Sequence, residues 1–252
     1  MKLLSLARDL RRRKARERQQ LFAAEGVRAV EELLRSSLDV RGVLVAPQLG
    51  DAPRGAALLE ALRRRGVELA ELSPLDFASA AETESPQGVL AIGAIPTLTV
   101  QSLTLPRVAR VVLLDGVQDP GNAGTILRTA AALGASAVLA MPGTVDLWNA
   151  KVVRSAMGAH FHLPALHCDW AALDELRQRD GIVTWGADAG GIPLGTLAPP
   201  ERLALLVGNE GAGLSAEGRA RADVLAALPI EPRVESLNVA VATGIFLYEL
   251  RP

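Results

Sequence analysis

The sequence predicts an α/β chain, a small α/β unit followed by a domain built on a parallel sheet. Three observations carry that reading. From Arg110 onward apolar runs and helical runs alternate. The apolar runs are nearly continuous, as in strands covered on both faces. Ahead of them, "AIPTLTVQSLTLPRVAR" holds two prolines, Thr and Ser with no helical period, the composition of a linker.

In chain order, residues 1–20 read as a polar helix. Its stripe of Lys2, Arg8, Arg11, Arg12, Arg13, Lys14, Arg16 and Arg18 suits phosphate binding, and equally a solvated face. Residues 25–36 set Val27, Val30, Leu33 and Leu34 on one helical stripe. A strand "VRGVLVA", a helix around 53–65, a strand near Val67–Leu69 and a strand from Gly88 complete a unit expected over 1–95, with 96–106 as linker. Within 107–252 the expected strands are "RVVLLD", "SAVLAM", "GIVTWG", "LALLVG" and "VLAALPI". Helices are expected over 121–133, over 149–159 and from Ser236.

Composition narrows the class. The single cysteine, Cys168, excludes an internal disulfide and any multi-cysteine zinc site. No apolar run reaches the roughly 18 residues of a membrane span. The first twenty residues have neither signal-peptide nor transit-peptide character, so a soluble cytoplasmic protein without membrane attachment is expected. A net charge of −1 leaves only local patches to attract nucleic acid. His160, His162 and His167 cluster with a spacing that suits a strand edge better than a closed site, so structural roles and no metal are expected.

Ligands of parallel sheets sit at the carboxyl ends of the strands, and three turns meet that condition: 115–124, 208–214 and 230–238. In the first, Pro120 and Gly121 turn the chain and Asn122 reads as a helix N-cap. Arg128 follows six residues on and is expected to face the strand ends with it. The second runs GxxGxG, the reverse of a dinucleotide fingerprint, and no Gly-Lys-Ser/Thr phosphate loop is present. Its Gly-Asn-Glu-Gly leaves backbone groups to bond a flat polar ligand. Glu210 would repel a phosphate but receive a donor or a cation, so a phosphate-free ligand with a cationic centre fits. In the third, Leu228–Ile230 end a strand, Pro232 turns the chain and Ser236 reads as a cap. The helix after it carries Leu237, Val239, Val241, Ile245, Phe246, Leu247 and Leu250, and a helix so apolar belongs in a core or a subunit interface. Ser236 and Asn238, polar residues opening it, call for a site.

Together, "DGVQDPGNAGTILRTAAALGA", "VGNEGAGLS" and "LPIEPRVESLNVAVATGI" resemble the three motifs of the SpoU/TrmH family of RNA ribose 2′-O-methyltransferases, in the SPOUT superfamily. The resemblance covers about residues 110–250 and takes in "VVRSAMGAHFHLP". The stretches "RKARERQQLFAAEGVRAVEELL" and "SPQGVLAIG" are similar to the substrate-binding domain that precedes the catalytic domain in many members.

The resemblance implies an S-adenosylmethionine site in a deep trefoil knot, and a homodimer. It puts the cofactor on the backbone around Gly208, Leu228, Ile230 and Leu237, and matches Asn122, Arg128, Glu210, Ser236 and Asn238 to the family's polar catalytic positions. The implied substrate is an RNA ribose, with ribosomal RNA (23S) favoured over tRNA because an added domain suits a larger folded target. The family assigns hydroxyl activation to the arginine. Arginine stays protonated, so Arg128 is read as holding the adjacent phosphate and steadying the developing alkoxide, with the proton acceptor open. Two rivals stay open: a tRNA methyltransferase, and a non-enzymatic RNA-binding protein on the same fold. A dinucleotide-dependent oxidoreductase fails on the missing fingerprint.

Overall fold

The structure is a computed structural model describing residues 2–251; Met1 and Pro252, the outer ends of the two expected domains, lie outside the described residues. The chain divides into two compact units. One runs to Thr97 and also takes in Trp148–His162; the other holds Leu98–Leu147 and the chain from Leu163. The first boundary falls between Thr97 and Leu98. The segment 148–162, expected with the later strands, instead belongs to the first unit.

The first unit contains α1 (Lys2–Asp9), α2 (Arg13–Gln19), β1 (Leu21–Glu25), α3 (Val27–Arg35), β2 (Val40–Val45), α4 (Pro53–Arg65), β3 (Leu69–Glu71), α5 (Pro74–Ala80), β4 (Val89–Ala94) and, from later in the chain, α7 (Ala150–Ala156). Its sheet has the order β1-β4-β2-β3, with β1 and β2 antiparallel to β4 and β3 parallel to β2. Phe22, on β1, explains the capture of 148–162. Its ring lies 4.6 Å from Trp148 and 5.4 Å from Phe161, so three of the chain's few aromatic rings make one cluster.

The expected single polar helix is two helices, because α1 and α2 turn apolar residues inward: Leu3, Ala7, Leu10 and Ala15 are buried. The basic stripe is largely consumed within the unit. Arg16 is buried and donates to the carbonyls of Leu10 (2.8 Å) and Arg11 (3.0 Å). Asp9 gathers Arg12 and Arg18, Arg13 pairs with Glu17, and Arg8 donates to Ser79.

The second unit contains β5 (Ala109–Leu114), α6 (Pro120–Ala132), β6 (Ala137–Ala140), β7 (Ala165–His167), α8 (Trp170–Asp180), β8 (Val183–Pro193), β9 (Arg202–Val207), α9 (Ala216–Arg221), β10 (Val224–Ala227) and α10 (Val239–Leu250). All neighbours in its sheet, β10-β8-β9-β5-β6-β7, are parallel. β5 is buried along its whole length, and β9 from its second residue, as the unbroken apolar runs require. The chain lays β5, β6 and β7 outward in one direction, then crosses back to put β8, β9 and β10 on the other side of β5. This reversal places the turns after β5 and β9 side by side, the position where open α/β sheets bind ligands.

At the opposite end of the sheet Arg110 is buried. Its Nε donates to the carbonyl of Leu250 at 2.5 Å and its Nη1 to those of Ala109, Pro200 and Glu201 at 2.9–3.1 Å. Burial lowers its pKa from the usual arginine range. A cation at the last turn of α10 also suits the negative end of the helix dipole. Among the described residues no helix is long and apolar enough to cross a membrane.

His160 is the anomaly of the first unit. It is 2% exposed, neither ring nitrogen has a partner among the described residues, and Trp148 and Phe161 lie against its ring. Burial pushes its pKa from 6.5 down to about 3. The folded ring therefore stays neutral where the unfolded one takes a proton. Its contribution to stability is intact above pH 6.5 and is lost progressively as pH falls from 6.5 towards 3. In His160→Phe, urea midpoints followed across this range are expected to fall less steeply with acid than in the wild type. Parallel curves would show that His160 does not set the acid limb.

Candidate functional site

The three turns meet at the carboxyl end of the second unit's sheet. Proline at the first position of a helix marks its start, and α6 begins at Pro120, so its N-cap is Asp119, which accepts from Asn122 N at 2.8 Å. The expected cap, Asn122, sits inside the first turn with its side chain available. It uses both ends of that amide. Nδ2 donates to Glu210 Oε1 at 3.0 Å, and Oδ1 accepts from Asn238 Nδ2 at 3.0 Å. The helix after the third turn likewise starts later than expected. Asn238, not Ser236, is its cap, accepting from Ala240 N and Val241 N at 2.9 and 3.2 Å.

Glu210 closes the arrangement. Its carboxylate also accepts from the backbone N–H of Gln118 (3.3 Å) and Asp119 (3.1 Å). Burial acts to raise its pKa, but the Asn122 amide and these backbone donors outweigh it and hold the carboxyl below the ordinary range. Two further ties fix the second turn to the first. Asn209 Nδ2 donates to Gly116 O at 2.8 Å while its Oδ1 accepts from Gly211 N and Ala212 N, and Asp115 Oδ2 accepts from Ser215 N at 2.7 Å. Asp115 is buried at the very end of β5. Neither Asn209 nor Asp115 had been expected among the site residues, and no local pattern marks a bond spanning a hundred residues.

The second and third of these turns line a cavity of about 590 Å³. Gly208, Leu228, Ile230 and Leu237, the four expected cofactor positions, all line it, as do Glu210, Ser236 and Asn238. Asn122 is not among the lining residues but bonds two of them, Glu210 and Asn238. Arg128 is not among the lining residues. It is exposed on α6 with no hydrogen-bond or ion-pair partner among the described residues. The spacing explains this: six residues make about one and two-thirds turns, so Arg128 points roughly a third of a turn away from Asn122. Ser236 is exposed and makes no side-chain hydrogen bond among the described residues.

The sequence also gave no sign of what β8 contributes. Its pairing with β10 jumps from Gly186 opposite Leu225 to Ile192 opposite Ala226, so residues 187–191 leave the ladder. Ala187, Asp188 and Ala189 of this excursion form one wall of the cavity. Gly191 makes it possible, since a Cβ there would lie 2.5 Å from the carbonyl oxygen of Leu225. Asp188 pairs with Arg219 of α9, which lines the cavity too. Burial acts to raise the Asp188 carboxyl, and Arg219 together with the Gly190 N–H (2.9 Å) brings it below the ordinary range.

The donor set suits S-adenosylmethionine. Val207, Ala226, Leu228, Ile230 and Phe246 give apolar walls for an adenine, the volume lies within the roughly 300–1,000 Å³ of small-molecule sites, and Glu210 and Asp188 offer negative charge to a cationic centre. Among the described residues Arg219 is the one cation on the wall, and the Asp188 carboxylate beside it repels a pyrophosphate, which brings no positive charge to match it. Among the described residues no group of three or more His, Cys, Asp and Glu side chains is placed to hold a metal ion.

Comparison with known proteins agrees with this geometry. Residues 109–248 match the SpoU rRNA methylase family, and residues 5–91 match the MRM3-like substrate-binding domain. The chain is 39% identical over 246 residues to the 23S rRNA (guanosine(2553)-2′-O)-methyltransferase RlmP of Bacillus subtilis, covering 97% of this chain and 94% of that one. Among solved structures it resembles the SpoU methyltransferase AviRb of Streptomyces viridochromogenes in complex with AdoMet. That match has a TM-score of 0.88 and 30% identity, covering 98% and 96% of the two chains. It also resembles an AdoMet-bound rRNA methyltransferase from Sinorhizobium meliloti, with a TM-score of 0.85 and 30% identity over 98% and 93%.

Gly208 tests the turn itself. A Cβ there would meet the backbone of Gly213 at 2.2 Å, so the close approach is made by the loop's own chain. Gly208→Val is expected to force the 208–213 turn open and lower the thermal midpoint, by roughly 1–3 kcal/mol of stability as for other overpacked sites. Gly211→Ala, whose Cβ would meet only the Asn209 side chain at 3.7 Å, should leave the midpoint almost unchanged. Equal midpoints for the two variants would contradict this packing.

Proposed function

The chain belongs to the SpoU rRNA methylase family, and on that premise we propose that it transfers the methyl group of S-adenosylmethionine to a ribose 2′-hydroxyl of 23S ribosomal RNA. The observation that carries the reading is the Asn238–Asn122–Glu210 chain on the rim of a cavity with apolar walls, whose one cation among the described residues is paired.

When bound, S-adenosylmethionine supplies the reactive methyl on a positively charged sulfur. The protein supplies position and charge. Leu228, Ile230 and Leu237 would hold the base, and the backbone at Gly208 would supply hydrogen bonds to it. Glu210, kept ionised by its donors, is a weak base; its part is to orient the Asn122 amide. Asn122 and Asn238 then hold the ribose at the methyl-bearing face, with Ser236 as a further hydroxyl donor and acceptor. Arg128 is exposed and has no partner among the described residues. It grips the RNA phosphate beside the reacting ribose with its planar fork and steadies the negative charge growing on the 2′-oxygen.

The first unit captures the RNA, in line with the family of residues 5–91. Ribosomal RNA is preferred to tRNA because a relative that the chain matches almost from end to end, at 39% identity, is named for 23S rRNA. The protein works in the cytoplasm, its carboxyl-terminal segment is knotted as a trefoil, and two chains pair. The pairing has structural support in α10. This helix buries Ala240, Thr243, Phe246, Leu247 and Leu250 within its own unit but leaves Val241, Ile245 and Tyr248 41–55% exposed. Spaced four and three residues apart, these lie on one helix face.

Mapping 2′-O-methylation over ribosomal and transfer RNA, with and without the gene, tests the substrate. A site lost only from 23S rRNA is expected, and one lost only from tRNA would overturn the choice. Arg128→Ala should lower kcat/KM by roughly 2–4 kcal/mol, with Arg128→Lys retaining part of the activity and cofactor affinity unchanged in both. Methylation by Arg128→Ala at the wild-type rate would remove Arg128 from the mechanism. Light scattering at micromolar concentration should give a dimer for the wild type and a monomer for Ile245→Asp, and a monomeric wild type would count against pairing.

A further inference from the structure

The Asp188–Arg219 pair has no part in the mechanism above, yet the fold goes to some length to place it. Residues 187–191 give up their ladder with β10 to form this wall, although a continuous strand would satisfy those backbone groups at no cost. The excursion is then pinned from below by the contact of Gly191 with Leu225. Arg219 is fixed as well. It stands on α9, whose cap Ser215 is held by the buried Asp115 carboxylate at 2.7 Å. The two charges thus sit on separately anchored elements and meet at the cavity surface, with side chains 22% and 48% exposed. Among the described residues no hydrogen bond links the pair to the Asn238–Asn122–Glu210 chain, so the cavity has two polar groups with different partners.

A fixed anion beside a fixed cation is complementary to a ligand group that carries both charges on adjacent atoms. S-adenosylmethionine has one such group, the α-ammonium and α-carboxylate of its amino-acid end. Its adenine suits the apolar walls, and its sulfonium must face the site of methyl transfer. Building on the function proposed above, we infer that Asp188 and Arg219 form the subsite for the amino-acid end of the methyl donor, Asp188 accepting from the ammonium and Arg219 donating to the carboxylate. Charge-assisted hydrogen bonds of this kind are the stronger class. Their geometry selects the substrate's tail and leaves the reacting atoms to the other polar group. Asp188 and Arg219 are accordingly positioning and specificity residues. The Asp188 carboxyl, held below the ordinary range by Arg219, is ionised at neutral pH as the role requires.

Calorimetry on the full-length chain separates this subsite from the rest of the cavity. S-adenosylhomocysteine carries the amino-acid end, whereas 5′-methylthioadenosine keeps the adenosine and sulfur without it. Asp188→Asn and Arg219→Gln should each weaken S-adenosylhomocysteine by about tenfold, the scale of one lost charge-assisted bond, and change 5′-methylthioadenosine by less than about twofold. Equal weakening of both ligands would assign the pair to the adenosine or to the shape of the wall, and no weakening of either would remove it from the site; each result overturns the inference. Where a variant fails to fold, wild-type protein with decarboxylated S-adenosylhomocysteine gives the same information. That compound is expected to bind about tenfold more weakly than the parent, and equal binding refutes the role of Arg219. A wild-type chain that binds none of these compounds would instead overturn the proposed function itself.

Discussion

One carboxylate holds the carboxyl end of the second unit's sheet together. Glu210, from the turn after β9, reaches across to the backbone of Gln118 and Asp119 and to the side chain of Asn122, in the turn after β5. Without it two backbone N–H groups would lose their acceptors and Asn122 would lose half of its orientation. The parallel sheet makes this bond possible, because reversal of strand order at β5 sets those two turns beside each other. Asn209 and Asp115 reinforce the same junction, so the cavity's floor is a small network of fixed polar groups rather than a flexible loop.

The last helix depends on that junction at one end and on Arg110 at the other. Its N-cap, Asn238, bonds Asn122 as well as its own first turn, and the carbonyl of Leu250 accepts from the buried Arg110 guanidinium. α10 is therefore tied at its N-terminus to the first turn of α6 and at its last turn to β5. A helix held this way can leave an apolar face unburied without drifting, as the proposed pairing of two chains requires.

Much of this was legible in the sequence where chemistry is local. Unbroken apolar runs gave the strands of the parallel sheet, and Gly, Pro and Asn clusters gave all three site turns. Even so, capping was misassigned twice. Asn122 and Ser236 are good cap residues, but Pro120 at the first helical position moved one cap to Asp119, and Asn238 outcompeted Ser236 for the other. Short strands such as Ala165–His167 carry too few residues for a period to show. The reach of 148–162 into the first unit depends on Phe22 lying more than a hundred residues away. Asp115, Asp188 and Arg219 were invisible for the same reason, since an isolated Asp or Arg says nothing of a partner that only folding brings near. Arg128 was expected to face the strand ends with Asn122, but six residues fall a third of a turn short of two full turns and carry it off that face.

The aromatic scarcity that let one cluster gather 148–162 has an optical consequence. The chain holds three tryptophans, of which Trp148 lies in the first unit and Trp170 and Trp185 lie in the second. Trp148 is 5% exposed, with the ring of Phe22 at 4.6 Å and that of His160 at 4.7 Å, so its emission should be blue-shifted and sensitive to the imidazole beside it. With Trp170 and Trp185 replaced by phenylalanine, the remaining fluorophore would follow the opening of the first unit alone, without any added dye. The complementary chain, lacking only Trp148, would report the second unit, and the interval between the two fluorescence transitions would measure how independently the units melt.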